Sequence, residues 1–150
     1  MTGDAIYTSF IDFFKRKSHT YIPASPVVLA ADPTLFFVNA GMNQFKDILL
    51  GTGTRAYTRA VNSQPCIRVS GKHNDLDEVG QDGYHLTAFE MLGSWSFGDY
   101  QKREAIRWAW AWITVELKLP KDKLHATVYE SDDEAAAIWQ TETDVAHIHR

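Results

Sequence analysis

The chain has 150 residues, of which 45% are hydrophobic and 23% are charged, as expected for one globular domain and not for a disordered chain. It carries 15 Lys and Arg against 19 Asp and Glu, so the net charge of −4 excludes a surface that is basic overall. The single cysteine, Cys66, excludes an internal disulfide framework and a multi-cysteine zinc site. No apolar run reaches the roughly 18 residues of a membrane helix, and residues 1–8 lack the pattern of a signal peptide, so we expect a cytoplasmic protein without membrane contact.

The N-terminal part of the chain begins with a helix that is predicted over about residues 4–17. Its apolar side chains recur at the spacing of one helical face and are Ile6, Phe10, Phe13 and Phe14. The apolar run at residues 35–38 then predicts a short strand, and residues 43–50 predict a short helix.

A hairpin is predicted in the middle of the chain. Residues 65–70 and residues 86–92 are apolar runs that predict two strands. Residues 71–83, which lie between them, are polar, contain glycine and show no periodicity, so they predict a long loop. A strand, a loop and a second strand in this order indicate an antiparallel pair.

The last third of the chain adds two helices and a strand. Residues 102–117 predict a helix that Pro120 ends, and residues 124–129 predict a strand. Ser131 and Glu134 have the spacing of a capping box at the start of a second helix, whereas His147 and His149 are interpreted as part of a solvated terminus. The mixture of elements favours an α+β fold, in which an antiparallel β-sheet is flanked by helices.

Several common enzyme motifs do not occur in this sequence. A P-loop around Gly71 and Lys72 would need a glycine where Cys66 stands and a Ser or Thr where His73 stands. The Gly-x-Ser-x-Gly pattern of serine hydrolases does not occur either. Cys66 lies within an apolar strand, which favours a buried structural thiol over a nucleophile.

Three residues of the hairpin are the candidate binding residues: Arg68, His85 and Phe89. Arg68 lies in an otherwise apolar strand, where a buried guanidinium is costly unless an anion meets it. His85 and Phe89 share one face of the return strand if that strand alternates with a period of two. An Arg and a His for phosphates, with a ring for a base, would suit a nucleotide. The alternative is that Arg68 pairs with Glu90 or Asp99. In that case Phe89 belongs to the core.

Two long strings then identify a family resemblance. Residues 32–50 (DPTLFFVNAGMNQFKDILL) and residues 66–100 (CIRVSGKHNDLDEVGQDGYHLTAFEMLGSWSFGDY) resemble the N-terminal part of the alanyl-tRNA synthetase family. The similarity continues through residues 127–134 (TVYESDDE). It implies part of the catalytic domain of a class II aminoacyl-tRNA synthetase, which is built on an antiparallel sheet. Members of the family activate alanine with ATP and Mg²⁺ to alanyl-adenylate and transfer it to the 3′ end of tRNA(Ala).

The resemblance also implies roles for single residues. Arg68 matches the catalytic arginine on the α-phosphate, and His85 matches the residue that reaches the terminal phosphate. Phe89 matches the ring that stacks on adenine, and Met91 is expected close to the adenine. All four residues are therefore expected to bind ATP.

The resemblance also implies roles for the loop between the two strands, and the sequence departs from the family at two positions. Lys72 and His73 lie where class II enzymes approach the acceptor end of tRNA, so they are the expected RNA contacts. Residues 39–45 (NAGMNQF) are interpreted as structural support near the site. Many members have a second His at the position of Leu86 and a large aromatic residue at that of Ala88. We interpret these two departures as packing variations on the face opposite His85.

The resemblance covers the N-terminal portion of a catalytic domain. The third class II motif and the tRNA-recognition, editing and C-terminal regions of the family have no counterpart in residues 1–150. The chain is interpreted as a piece of a longer synthetase, a truncated product or a reduced relative. We expect the isolated 150 residues to be inactive and their sheet to be completed by a C-terminal half or by self-association. The rival function is a non-catalytic module that binds a nucleotide, RNA or a protein.

Overall fold

The computed structural model describes residues 1–29, 34–68 and 77–150. The α-helices in these ranges are α1 (Gly3–Lys15), α2 (Lys46–Leu49), α3 (Lys102–Ala111) and α4 (Asp133–Glu142). The strands are β1 (Thr20–Tyr21), β2 (Arg59–Ile67), β3 (Ala88–Ser96), β4 (His125–Thr127) and β5 (His147–His149). The described chain divides into two compact units, Phe14–Phe97 and a second unit of Met1–Phe13 with Gly98–Arg150.

The unit Phe14–Phe97 is built on a three-stranded sheet in the order β1-β2-β3. Strand β2 pairs with β3 in antiparallel fashion over its whole length, from Arg59 opposite Ser96 to Ile67 opposite Ala88. The short β1 is parallel to β2. The predicted antiparallel hairpin and the predicted α+β class are confirmed, with a parallel two-residue strand added at one edge.

Aromatic packing closes the core of this unit. The Phe45 ring lies 5.5 Å from the Trp95 ring and 5.3 Å from the Phe97 ring, measured between centroids. Phe45 is the last residue of a short 3-10 turn, Asn43–Phe45, which leads directly into α2. The predicted short helix at residues 43–50 is therefore confirmed, and its buried aromatic residue fixes it against β3.

Strand β2 carries buried polar side chains in its middle. Asn62, Ser63 and Gln64 are all buried, and Gln64 is fully inaccessible. The Gln64 amide accepts hydrogen bonds from the backbone N–H and the hydroxyl of Ser25 at 2.9 and 3.0 Å, and donates one to the Ser25 carbonyl at 3.0 Å. Because the Gln64 amide is paired, it can lie in the centre of a sheet, whereas the buried Nδ2 of Asn62 has no hydrogen-bond partner among the described residues.

The first residues of β2 were missed by the sequence prediction for this reason. We predicted a strand over residues 65–70, but β2 begins at Arg59 and ends at Ile67. The segment before Pro65 is polar and lacks the apolar pattern of a strand. Its hydrogen-bond partners, which allow it to be buried, are not evident from the local sequence. Strand β3 likewise runs later than predicted, over Ala88–Ser96 instead of residues 86–92.

The strand predicted at residues 35–38 is wrong. Residues 34–40 form bends and irregular backbone, although the Val38 N–H donates to the Val27 carbonyl and the Val38 carbonyl accepts from Ile67. Val38 is fully buried, whereas Phe36 is 93% exposed. Two backbone hydrogen bonds hold Val38 here, and no strand of the described residues pairs with the rest of the apolar run.

The second unit contains α3, α4 and the β4–β5 pair. The predicted helix over residues 102–117 is confirmed in extent, with α3 continuing as a π-helix over Trp112–Glu116. The Trp110 indole N–H donates to Asp144 at 2.7 Å, and its ring meets Trp139 of α4 edge-on at 6.0 Å. These contacts pack α3 against α4.

Two smaller predictions for this unit need correction. Helix α4 is capped by Asp132, whose side chain accepts from the Ala135 N–H at 3.0 Å, and not by Ser131. His147 and His149 are exposed as expected, but they form β5, parallel to β4, where His149 is 2.8 Å from His125 between ring nitrogens. The strand predicted at residues 124–129 is confirmed as the shorter β4. Across residues 1–29, 34–68 and 77–150, no helix has the length and apolar character needed to cross a membrane.

Gly93 gives a test of core packing in the sheet. A Cβ at this buried position would lie 2.5 Å from the Trp95 ring, whose indole N–H donates to Asn62 at 2.8 Å. We expect Gly93→Ala to lower the free energy of unfolding by about 1–3 kcal/mol, the usual cost of overpacking. Urea unfolding measures the change. Gly3→Ala is the control, since a Cβ there meets no atom within 4 Å. Equal stability of the two variants would contradict this packing.

Candidate functional site

A small pocket lies where the β2–β3 ladder ends. It has a volume of about 200 Å³ and is lined by Arg68, Tyr84, His85, Leu86 and Phe89. Arg68 directly follows β2, and Phe89 is opposite Cys66 in the ladder. The structure therefore brings three of the predicted site residues, Arg68, His85 and Phe89, to one cavity.

Arg68 is held by neutral groups. Its Nε donates to the Asn39 carbonyl at 2.9 Å, and its guanidinium lies 5.2 Å from the centroid of the Phe89 ring. A cation over an aromatic face is stabilised by the ring quadrupole. Glu90, one of the two carboxylates considered as a partner, accepts instead from the Ser63 hydroxyl at 2.9 Å. Within the part of the chain that the structure describes, Arg68 forms no ion pair.

The turn that carries the Asn39 carbonyl is fixed from two sides. The Asn43 side chain accepts hydrogen bonds from the N–H groups of Asn39 and Ala40 at 3.1 and 2.9 Å. On the other side, the Ile67 N–H donates to the Val38 carbonyl at 2.9 Å. The segment that was interpreted as support for the site thus has a specific contact, because its backbone binds the Arg68 side chain.

His85 lies in the turn before β3 and is held by Asp82. The Asp82 Oδ1 accepts from the backbone N–H groups of Tyr84 and His85 at 2.8 and 2.9 Å, and its Oδ2 is 2.5 Å from His85 Nδ1. These hydrogen bonds from His85 and Tyr84 lower the pKa of the Asp82 carboxyl to about 2. At neutral pH, a carboxylate therefore faces one nitrogen of the imidazole.

The strand-face argument for His85 is wrong, although the residue reaches the pocket. Strand β3 begins only at Ala88, so the period of two does not extend back to His85. For the same reason Leu86 is not on an opposite, packed face. Leu86 lines the pocket and is 59% exposed, and Ala88 is exposed as well. The interpretation of these two residues as packing variations is therefore not supported.

Met91 lies beside the pocket. It is two residues after Phe89 on β3, and its sulfur accepts from the Gly41 N–H at 3.2 Å. Met91 is not among the described residues that line the cavity. It fixes the turn after Asn39 to β3 and thus belongs to the support of the pocket.

Cys66 matches the buried thiol that was predicted. Its side chain is 1% exposed, and burial raises the pKa of the thiol against the opposing effect of the Arg68 charge. A protonated, inaccessible thiol is a poor nucleophile. Cys66 is therefore a structural residue, which lies opposite Phe89 in the ladder.

Lys72 and His73, the expected RNA contacts, lie outside the described residues. Within residues 1–29, 34–68 and 77–150, no group of three His, Cys, Asp or Glu side chains is arranged to hold a metal ion. Sequence reasoning missed Asp82 and Tyr84. The signal for Asp82 was an Asp followed by Gly three residues before a His, a pattern typical of a side chain that closes a turn.

The antiparallel hairpin, with a basic residue after its first strand and a His and a Phe around its second, defines a class II tRNA synthetase domain. A family model described as tRNA synthetases class II (A) matches residues 5–150, and the chain belongs to this family. The curated relatives are alanine–tRNA ligases, so the resemblance inferred from the sequence is confirmed.

Three of these ligases illustrate the similarity. The enzyme of Chlorobaculum tepidum is 60% identical over 149 residues, which are 99% of this chain and 17% of the relative. That of Parabacteroides distasonis is 53% identical over 156 residues, covering 99% and 18%. That of Shewanella loihica is 55% identical over 145 residues, covering 97% and 17%. The chain thus spans about a sixth of the length of these relatives.

The turn that supports Arg68 can be tested through Asn43. Asn43→Ala removes the acceptor for two backbone N–H groups, and we expect it to lower the free energy of unfolding by about 1–2 kcal/mol. Thermal or urea unfolding measures the loss. Asn43→Asp is the matched variant, because a carboxylate still accepts both bonds, and it is expected to remain near the wild type. A similar loss in both variants would contradict this role of the Asn43 oxygen.

Proposed function

We propose that this chain forms the ATP-binding part of the catalytic domain of an alanine–tRNA ligase. The observation that carries the proposal is the meeting of Arg68, His85 and Phe89 at one pocket. Family membership and the names of the curated relatives support the same reaction. In it, a carboxylate oxygen of alanine attacks the α-phosphorus of ATP, alanyl-adenylate forms, and pyrophosphate leaves. A hydroxyl at the 3′ end of tRNA(Ala) then attacks the carbonyl carbon of the adenylate, so the alanyl group passes to the tRNA and AMP leaves.

Arg68 is the residue that we assign to the α-phosphate. Its Nε is engaged by Asn39, and the described residues provide no partner for the two terminal guanidinium nitrogens. These nitrogens present the planar fork that binds phosphate oxygens bidentately. Negative charge builds up on those oxygens as alanine attacks, so a fixed guanidinium stabilises the transition state more than bound ATP.

The other residues of the pocket would bind the rest of the nucleotide. A pocket of about 200 Å³ is smaller than the roughly 300–1,000 Å³ of typical ligand sites, so it would hold only part of ATP. We assign His85 to the terminal phosphate and Phe89 to the adenine ring. Met91 would act near the adenine by fixing the backbone at Gly41.

Mg²⁺ and tRNA complete the proposed set of partners. The described residues offer no cluster of metal ligands, so Mg²⁺ would be bound through the phosphates of ATP. When bound, the ion neutralises part of the phosphate charge. Lys72 and His73 are proposed to contact the acceptor end of tRNA(Ala).

Alanine-dependent exchange of pyrophosphate into ATP tests this function. The protein at its full natural length is incubated with ATP, labelled pyrophosphate and single amino acids. We expect exchange with alanine that greatly exceeds exchange with glycine or serine. A well-folded protein without alanine-dependent exchange would contradict the proposal and favour a non-catalytic module.

Arg68 variants test the assignment of the catalytic arginine. A bidentate pair with phosphate contributes about 1.5–3 kcal/mol, so Arg68→Ala is expected to slow exchange by more than tenfold. The loss should appear in kcat as well as in the KM for ATP. Arg68→Lys should restore little, because one ammonium does not reproduce the planar fork.

Arg55→Ala is the matched control for this experiment. Arg55 is in the same unit and forms an ion pair with Asp47 at 3.0 Å, away from the pocket. Arg55→Ala removes a guanidinium that is not part of the pocket lining and should leave exchange unchanged. Melting temperatures of all variants separate a folding defect from a kinetic one. A folded Arg68→Ala protein with normal kinetics would exclude the phosphate role.

A further inference from the structure

Tyr84 is an exposed aromatic residue at the edge of the pocket. It lines the cavity together with Arg68 and Phe89, yet it is 89% exposed to solvent. Among residues 1–29, 34–68 and 77–150, its phenol ring forms no hydrogen bond and no contact with another ring. Burial of an aromatic ring is strongly favourable, so a ring that is left in water beside a pocket is available to a ligand.

The backbone that carries this ring is fixed. The N–H groups of Tyr84 and His85 both donate to Asp82 Oδ1, at 2.8 and 2.9 Å, and the Gly80 N–H donates to the His85 carbonyl at 2.9 Å. Gly83, with a φ of +75°, supplies the left-handed conformation that the turn requires just before Tyr84. The turn thus places Tyr84 at the pocket before a ligand arrives, which lowers the entropic cost of binding.

The two rings of the pocket differ in what they offer to a base. Phe89 is half-buried, and the Arg68 guanidinium lies 5.2 Å from the centroid of its ring. This position suits the base of a nucleotide whose phosphates are bound by Arg68, as we assign to ATP. Tyr84 is open to solvent and suits a base that approaches the pocket from outside.

The proposed reaction brings a second base to this pocket. In the transfer step, a hydroxyl of the 3′-terminal nucleotide attacks the adenylate, so the base of that nucleotide must be bound close to Arg68. Single-stranded RNA ends are commonly bound by stacking of their bases on exposed aromatic rings. Tyr84 has this exposure, and Leu86, which is 59% exposed and lines the same cavity, provides further apolar surface.

The charges of the turn favour contact with a base over contact with a phosphate. Asp77, Glu78 and Asp82 are exposed carboxylates in the segment before Tyr84. Carboxylates repel the phosphates of an RNA backbone. Stacking, in contrast, uses the face of the ring and requires no positive charge.

We propose that Tyr84 binds the acceptor end of tRNA(Ala) and that its ring stacks on the base of the 3′-terminal nucleotide. This inference rests on the proposed function. It goes further by assigning the two bases of the reaction to two different rings, the adenine of ATP to Phe89 and the terminal base of the tRNA to Tyr84. Because every base has a flat face, the contact positions the RNA end and does not select its sequence.

Tyr84 variants of the protein at its full natural length separate the two steps of the reaction. Loss of one base–aromatic stack weakens binding by about fivefold or more. We therefore expect Tyr84→Ala to lower kcat/KM for tRNA(Ala) in aminoacylation at least about fivefold more than kcat/KM for ATP in pyrophosphate exchange. Tyr84→Phe keeps the ring and should stay within about twofold of the wild type. Tyr129→Ala is the matched control, since Tyr129 is 79% exposed and does not line the pocket.

A second measurement does not depend on activity. Each protein is titrated into tRNA(Ala) that carries 2-aminopurine in place of its terminal adenine, because stacking quenches the fluorescence of this base. At saturating protein, we expect strong quenching with the wild type, Tyr84→Phe and Tyr129→Ala, and clearly higher emission with Tyr84→Ala. Melting temperatures of all variants should agree, because both tyrosines are exposed.

The outcomes distinguish this inference from the proposed function. If the wild type exchanges pyrophosphate but Tyr84→Ala matches Tyr129→Ala in aminoacylation and in emission, the role of Tyr84 is excluded and the proposed function stands. A loss in exchange as large as the loss in aminoacylation would place the ring in the ATP site and overturn the inference. An equal defect in Tyr84→Phe would assign the contact to the hydroxyl and exclude stacking.

If the wild type shows no exchange, the proposed function fails, and the emission of the labelled tRNA still decides the contact. Higher emission confined to Tyr84→Ala supports stacking on this ring. Equal emission with Tyr84→Ala and Tyr129→Ala overturns it.

Discussion

The register of the β2–β3 ladder determines where the groups of the pocket meet. Nine consecutive residue pairs place Cys66 opposite Phe89, so the residue after β2, Arg68, emerges beside the aromatic ring. The guanidinium lies over that ring, 5.2 Å from its centroid. A shift of the pairing by one residue would turn every side chain of the strand to the other face and separate the two groups.

The two basic residues of the pocket are held in different ways, and the difference affects how each can meet an anion. Arg68 is oriented by a carbonyl and a ring, and among residues 1–29, 34–68 and 77–150 no carboxylate compensates its charge. His85 is oriented by a carboxylate, since Asp82 Oδ2 lies 2.5 Å from its Nδ1. A guanidinium is permanently charged, whereas the charge of an imidazole depends on the pH and on its surroundings.

Much of this arrangement can be predicted from the sequence, and the parts that cannot have physical causes. Helix α1, the hairpin and α3 follow from local periodicity, and Arg68 is conspicuous as a charge beside apolar residues. The start of β2 cannot be predicted in this way, because the buried Gln64 amide is paired with Ser25, thirty-nine positions earlier in the chain. His85 reaches the pocket through a turn that Asp82 closes, which strand periodicity does not describe.

The buried Gln64 amide has a consequence for folding fidelity. It makes hydrogen bonds on both its oxygen and its nitrogen with Ser25, a residue that lies between β1 and β2 and precedes β2 by a long stretch of chain. Any misaligned pairing of β2 would carry this amide away from Ser25 and leave polar atoms buried without partners, at a high energetic cost. A purely apolar side chain would tolerate several alignments. Gln64 thus makes the native alignment of the strands much more favourable than alignments shifted by one or two residues. The residues of the pocket are therefore brought to the correct positions as the sheet forms.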